Sequence, residues 1–186
     1  MNHPLLGRQH YAAALALIAT ALTAYRIWVI HHLGIDLYVD EAYYWGWSKA
    51  LDWGYFSKPP VIAALIAAST ALFGDGILAI KLPSLLIYPA TAGALFILGA
   101  RLYSARVGFW AGLVFMSMPL VSALGLFVST DAPLLLCWAL ALHFLLRALD
   151  GEGWGDWLAC GTAIGIGLLA KYTMAAFLPS ALLLML

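Results

Sequence analysis

The chain has 186 residues, 65% of them hydrophobic and 10% charged, with nine lysines and arginines against nine aspartates and glutamates; its mean hydropathy is +0.94. Soluble domains carry roughly 45–50% apolar and about 25% charged residues, so this composition describes an all-α polytopic membrane protein surrounded by membrane lipids. Zero net charge and the lack of any nucleic-acid module exclude a nucleic-acid partner, and Cys137 and Cys160, both inside apolar runs, read as small buried hydrophobes rather than redox or metal-ligating groups.

A hydrocarbon core of about 30 Å takes about 20 apolar residues as helix. Residues 11–30 meet that requirement. Arg8 and the small residues near Ala24 would suit a signal peptide, but the apolar run continues through Ile30 and no small-x-small cleavage site appears, so the segment reads as an uncleaved span. Next comes a charged and aromatic island at 40–60, inside a loop at 31–76. Within it Tyr44, Trp47 and Leu51 recur at helical spacing, and Trp and Tyr favour the headgroup level, which predicts a surface helix over 41–52 with Asp40 at its N-cap position. Residues 60–73 are too few to span and lie between Pro59-Pro60 and Gly74-Asp75-Gly76. Further spans are expected at 77–100, 107–127, 132–149 and 154–170. The run 174–186 is too short to cross, so the chain reads as the N-terminal part of something longer.

Orientation turns on residues 60–73. If they do not span, the basic connector from Arg101 to Arg106 shares a side with Arg8, as the positive-inside rule requires, and the island shares the opposite side with Asp131. A helix lying at the outer interface satisfies both conditions. Arg26, Lys58, Lys81, Asp131 and Lys171 then gather toward one membrane face. Ionisable groups at membrane depth are costly and mark sites, although snorkelling accounts equally well for Lys81 and Lys171. Asp131, in Ser129-Thr130-Asp131-Ala132-Pro133, is also a good helix cap. Carboxylates and cations beside an aromatic belt suit a transfer from a lipid phosphate: a carboxylate deprotonates an acceptor hydroxyl while a cation balances charge on the departing phosphate.

Six segments in order, Asp40-Glu41-Ala42-Tyr43-Tyr44-Trp45, Gly54-Tyr55-Phe56-Ser57-Lys58-Pro59-Pro60, Phe73-Gly74, Lys81-Leu82-Pro83-Ser84, the Ser-Thr-Asp ending at Asp131, and Leu169-Ala170-Lys171-Tyr172-Thr173, resemble the N-terminal half of glycosyltransferase family 39. That family holds the dolichyl-phosphate-mannose protein mannosyltransferases and the bacterial aminoarabinose transferases acting on lipid A. The resemblance implies a GT-C helical bundle with its site in the first extracytoplasmic loop. It also implies inverting transfer of a sugar from a polyprenyl-phosphate donor to a protein, lipid or glycan acceptor. Carried over, Asp40 is the general base, Glu41 shapes the acceptor site beside it, and Asp131 is a second essential acid that orients Lys58. Lys58 sits near the donor phosphate, with Tyr43, Tyr55, Lys171 and Arg26 as further substrate contacts. A bacterial inner membrane with the site facing the periplasm follows, as does the expectation that a chain ending at Leu186 lacks activity of its own.

No motif supports a divalent metal. Neighbouring His31 and His32 point about 100 degrees apart on a helix, and an interfacial position explains them. Gly161, Gly165 and Gly167, with Ala163, read as a helix-packing face, Lys49 and Asp52 as a solvated pair, and Tyr43, Tyr44, Trp45 and Trp47 as an interface belt or a sugar-site lining. Two rival functions stand beside the transferase. A lipid-linked sugar carrier or flippase would place its charges near the midplane on broken helices, with an internal repeat, and no repeat is present. A non-catalytic assembly partner is the other.

Overall fold

A computed structural model describes residues 4–151 and 153–185. Among these residues every regular element is helical: α1 (Pro4–His32), α2 (Val39–Ser48), α3 (Val61–Phe73), α4 (Ile77–Leu102), α5 (Ala105–Ser117), α6 (Pro119–Leu124), α7 (Asp131–Leu149), α8 (Trp154–Ala170), a 3₁₀ turn (Tyr172–Ala176) and α9 (Phe177–Met185). Three helical stretches are long and apolar enough to cross a membrane, Gly7–His32, Ile77–Leu102 and Asp131–Leu149. Helix α3, with 13 residues, reaches only about 20 Å at 1.5 Å per residue.

The expected span over 107–127 is broken. Proline disfavours the α conformation in the residue before it, and Met118, ahead of Pro119, is extended at φ −58°, ψ 133°. Helix α5 therefore stops at Ser117, and six-residue α6 gives way to a loop that runs to Thr130. Hydropathy sees one apolar run where the backbone has two short helices and a wall for the site.

Helix α4 is the centre of the bundle, packed against α1, α3, α5 and α7. Its internal Pro83 cannot donate to the carbonyl four residues earlier. That carbonyl, on Ala79, accepts from the Ser69 hydroxyl of α3 at 2.6 Å, so the defect in one helix anchors the other. Helix α5 meets α4 and α1 through glycine. A Cβ on Gly108 would stand 2.3 Å from the Phe96 carbonyl oxygen, and one on Gly112 would stand 2.8 Å from that of Ala92 and 2.7 Å from Leu15. The α8 glycines behave differently: Gly167 packs on Met174 and Cys137, but a Cβ on Gly161 or Gly165 would meet nothing within 4 Å. Residues two apart on a helix do not share a face, so the expected packing stripe reduces to Gly167 with buried Ala163.

At one end of the bundle Arg101 pairs with Asp150 at 2.6 Å, tying the end of α4 to the α7–α8 connection, and Arg147 pairs with Asp156 at 2.9 Å, tying α7 to α8. The N-termini of α4 and α7 and the C-terminus of α8 lie at the other end, with the island. Gly108→Ala should lower stability by about 1–3 kcal/mol through backbone overpacking, whereas Gly161→Ala should stay within about 0.5 kcal/mol of the parent. Thermal melting of the detergent-solubilised protein checks both.

Candidate active site

Helix α2 begins at Val39, preceded by extended Tyr38 at φ −72°, ψ 161°. Asp40 is therefore inside the first turn rather than at the N-cap, and its neighbour Glu41 reaches back to accept from the Tyr38 backbone N–H at 2.8 Å. The same Glu41 Oε2 receives Lys81 Nζ at 2.7 Å, while Oε1 accepts from the Val128 N–H at 2.6 Å. Glu41 is 1% exposed and Lys81 0%. Lys81 also donates to the Leu126 carbonyl at 3.2 Å and lies 5.0 Å from the Phe127 ring centre. It does not snorkel, because its ammonium is fully buried and held by the Glu41 carboxylate. Buried charges persist when paired and hydrogen-bonded, and here both are.

This buried clasp uses up both Glu41 oxygens and leaves the adjacent Asp40 carboxylate exposed, with no hydrogen bond or ion pair among the described residues. Asp40, Tyr44 and Lys58 form the shared wall of two adjoining cavities. One, of about 430 Å³, continues over Ser129, Thr130, Asp131 and Lys171; the other, of about 390 Å³, continues over Tyr43, Trp47, Phe56 and Ser57. Lys58 likewise has no acidic partner among the described residues. Burial and then the Asp40 and Asp131 carboxylates push the Tyr44 phenol up to about 12, so at neutral pH it stays protonated and can donate.

Asp131 is the first residue of α7, with Thr130 rather than Asp131 as the flanking cap residue. It pairs with Lys171 at 2.6 Å, where Lys58 was the expected partner. Lys171 is extended at φ −158°, ψ 130° between α8 and the 3₁₀ turn, and that break brings its side chain to α7. Tyr55 holds the loop rather than lining either cavity: its ring stacks on Trp47 at 4.8 Å and 5°, and its hydroxyl accepts from the Asp52 N–H at 3.1 Å. Its N–H donates to the Lys58 carbonyl at 3.0 Å, so Tyr55 sets the turn that presents Lys58. Arg26 is buried behind the cavities, not on their walls. Lys49 pairs with Asp75 instead of Asp52. His31 and His32 contact each other edge-on at 5.3 Å, and among the described residues no three of His, Cys, Asp and Glu gather into a metal-holding group. The wall residues Tyr38, Ser129, Thr130, Phe56 and Ser57 had no assigned role, although all but Tyr38 lie inside quoted motifs.

A larger groove of about 750 Å³ lies between α1 and α4, lined by alanine, leucine, isoleucine and threonine without an ionisable group. The ionisable side chains line the smaller pair of cavities instead. The family model described as dolichyl-phosphate-mannose-protein mannosyltransferase matches residues 57–186, taking in Lys58, Asp131 and Lys171. The chain belongs to that family.

Among curated relatives, lipid A galacturonosyltransferase RgtD of Rhizobium johnstonii is 35% identical over 164 residues, which is 88% of this chain and 35% of that protein. The undecaprenyl phosphate-alpha-4-amino-4-deoxy-L-arabinose arabinosyl transferase 2 of Pseudomonas fluorescens is 30% identical over 130 residues, 67% of this chain and 22% of its own length. The corresponding transferase of Pseudomonas savastanoi pv. phaseolicola is 27% identical over 131 residues, 68% and 24% of the two chains. The chain thus spans about a third or less of the length of these relatives. No solved structure matches it.

The Tyr44 phenol should ionise near pH 12, and Asp40→Asn, by removing one of the two neighbouring negative charges, should lower that midpoint. The tyrosinate absorbance difference between the parent and Tyr44→Phe, followed against pH, reads it out.

Proposed function

We propose that this chain carries the base and the phosphate-facing cation of a membrane glycosyltransferase that moves a sugar from a polyprenyl-phosphate carrier to an acceptor. The observation that carries the reading is the wall shared by two cavities, where an unpaired carboxylate, Asp40, stands with an unpaired ammonium, Lys58. A two-substrate transfer needs a base that touches the space of both reactants, and Asp40 does. The family membership and the Pseudomonas relatives support the donor class, and the Rhizobium relative, a lipid A transferase, supports a lipid acceptor.

In this reading the acceptor O–H attacks the anomeric carbon while Asp40 takes the proton. The bond from that carbon to the phosphate oxygen breaks, and its electron pair leaves on the phosphate. Polyprenyl phosphate departs with added negative charge, which Lys58 balances. A single displacement inverts the anomeric centre. Phosphate is a good leaving group, so no second carboxylic acid is needed to protonate it. Glu41 acts by position: with three donors on its two oxygens, it has little capacity left for substrate. Asp131 and Lys171 form a charged far wall, and Tyr43 and Trp47 give the second cavity a face on which a sugar ring can rest. The site faces the periplasm of a bacterial inner membrane. A flippase fits less well, since the free charges stand at one end of the bundle rather than around a midplane site.

Asp40→Asn should lower kcat by about 10²- to 10⁴-fold while donor binding is retained. Lys58→Met should weaken donor binding and slow transfer together. Mass-spectrometric assay of the intact protein with labelled polyprenyl-phosphate sugars tests this, and unchanged turnover in Asp40→Asn removes the base assignment.

A further inference from the structure

Both site cavities share a third residue, Tyr44, beside the base Asp40 and the cation Lys58. Its ring sits in an apolar cluster with Ile62, Ile66, Ile80 and Val128, 5.5 Å from the Trp47 ring. Phenylalanine would fill that place equally well. The side chain is 4% exposed, yet its hydroxyl has no hydrogen-bond partner among the described residues. Tyr38, Ser129 and Thr130 line only the larger cavity, and Tyr43 and Ser57 only the smaller, so among the described hydroxyl residues Tyr44 alone belongs to both. A nearly buried hydroxyl without a protein partner is costly to keep. Its counterpart is therefore a group that enters the cavities.

Geometry and charge say which group. Asp40 and Tyr44 are four residues apart on α2 and so lie on one face. Helical side chains lean toward the N-terminus, which carries the phenol over the turn that holds the base. Burial, then Asp40, then Asp131 across the larger cavity, push its pKa up to about 12, and the hydroxyl keeps its proton at neutral pH. Tyr44 thus offers a donor that carries no charge of its own. The acceptor oxygen gains nothing from such a donor, since a hydrogen bond there withdraws the electrons that attack. A phosphate does gain, because negative charge builds on it as its bond to the sugar breaks, and a donor fixed beforehand acts more strongly on the transition state than on the bound substrate.

We propose that the Tyr44 hydroxyl is a further catalytic group of this site, a hydrogen-bond donor to the carrier phosphate that tightens as the phosphate departs. The proposal rests on the transferase reading for its substrate and adds a residue to the machinery. As the bond from the anomeric carbon to the phosphate oxygen breaks, its electron pair stays on the phosphate and the acceptor's proton goes to Asp40. The Tyr44 proton remains on its own oxygen, shared with the phosphate through the hydrogen bond. Lys58 supplies the opposing charge.

The test is Tyr44→Phe in the intact protein in nanodiscs, read by melting, by binding of polyprenyl phosphate and of a polyprenyl-phosphate sugar, and by single-turnover transfer. Melting should match the parent, because the change removes no hydrogen bond within the protein. Affinity for polyprenyl phosphate, whose terminal phosphate bears more negative charge than the donor's diester, should fall about 10- to 100-fold, the range of a hydrogen bond to a charged group. Affinity for the donor should fall by less. The transfer rate at saturating substrates should drop about 10- to 100-fold, with the KM for acceptor unchanged. Equal affinity of parent and variant for polyprenyl phosphate overturns the proposal whatever happens to turnover. So does a variant that melts well below the parent or does not fold, which would make the hydroxyl a structural group. A raised acceptor KM with the transfer rate intact also overturns it, by placing the hydroxyl at the acceptor. Weakened binding of polyprenyl phosphate to the variant, together with a parent that transfers no sugar, removes the transferase reading and leaves the phosphate contact standing.

Discussion

The geometry of the site depends on one buried ion pair, Glu41 with Lys81. It joins three parts of the chain far apart in sequence, α2, α4 and the loop before α7, and those are the parts that build the cavity. Taking both charges out of water costs several kcal/mol for each ion. The cost is offset because Glu41 also accepts two backbone N–H groups, from Tyr38 and Val128, and Lys81 finds the Leu126 carbonyl and the Phe127 ring. Such an arrangement tolerates little displacement, since moving any one of the three elements strands a buried charge. Rigidity at Glu41 is passed through one peptide bond to Asp40 and through the 125–130 loop to Asp131.

Pairing two of the three site acids has a chemical consequence. Asp131 is held by Lys171 and Glu41 by Lys81, so the remaining carboxylate, Asp40, is the one without an ion-pair partner among the described residues. Free cations are distributed in the same way, Lys58 at the cavity wall and Arg26 behind it. The family membership, shared with polyprenyl-phosphate sugar transferases of bacteria, gives this asymmetry a natural use. A base must be uncommitted, whereas the groups that place it must be fully committed.

Much of this was legible in the sequence because it is local. The ends of α4 and α7 and the C-terminal end of α1 follow from apolar runs and from breakers, although α1 starts at Pro4, seven residues before the expected span, and the island stands out by contrast of composition. Asp40 and Asp131 do meet in one cavity, as the reading with a non-spanning 60–73 segment requires. Partner choice was not legible, because it is decided by tertiary packing. Nothing local distinguishes a snorkelling Lys81 from one clasped by a carboxylate forty residues earlier, or assigns Lys171 rather than Lys58 to Asp131. The N-cap expectation for Asp40 failed by two residues, the usual uncertainty at helix ends, and that shift gives the contact back to the helix start to Glu41 rather than Asp40. Pro119 was a readable signal that hydropathy averaging erased. The glycines of α5 were overlooked because spacing alone does not tell which face of a helix meets a neighbour, and Gly161 and Gly165 misled for the same reason.

The central claim is that Glu41 and Lys81 act as one unit in fixing the site. A double-mutant cycle on the intact protein, with Glu41→Gln, Lys81→Met and the pair together, measures that unit by thermal melting. The account predicts that each single change destabilises by about 3–5 kcal/mol, since each strands a buried partner, and that the double variant loses less than the sum by about 1–3 kcal/mol. Strictly additive losses, or a Lys81→Met variant as stable as the parent, would contradict it.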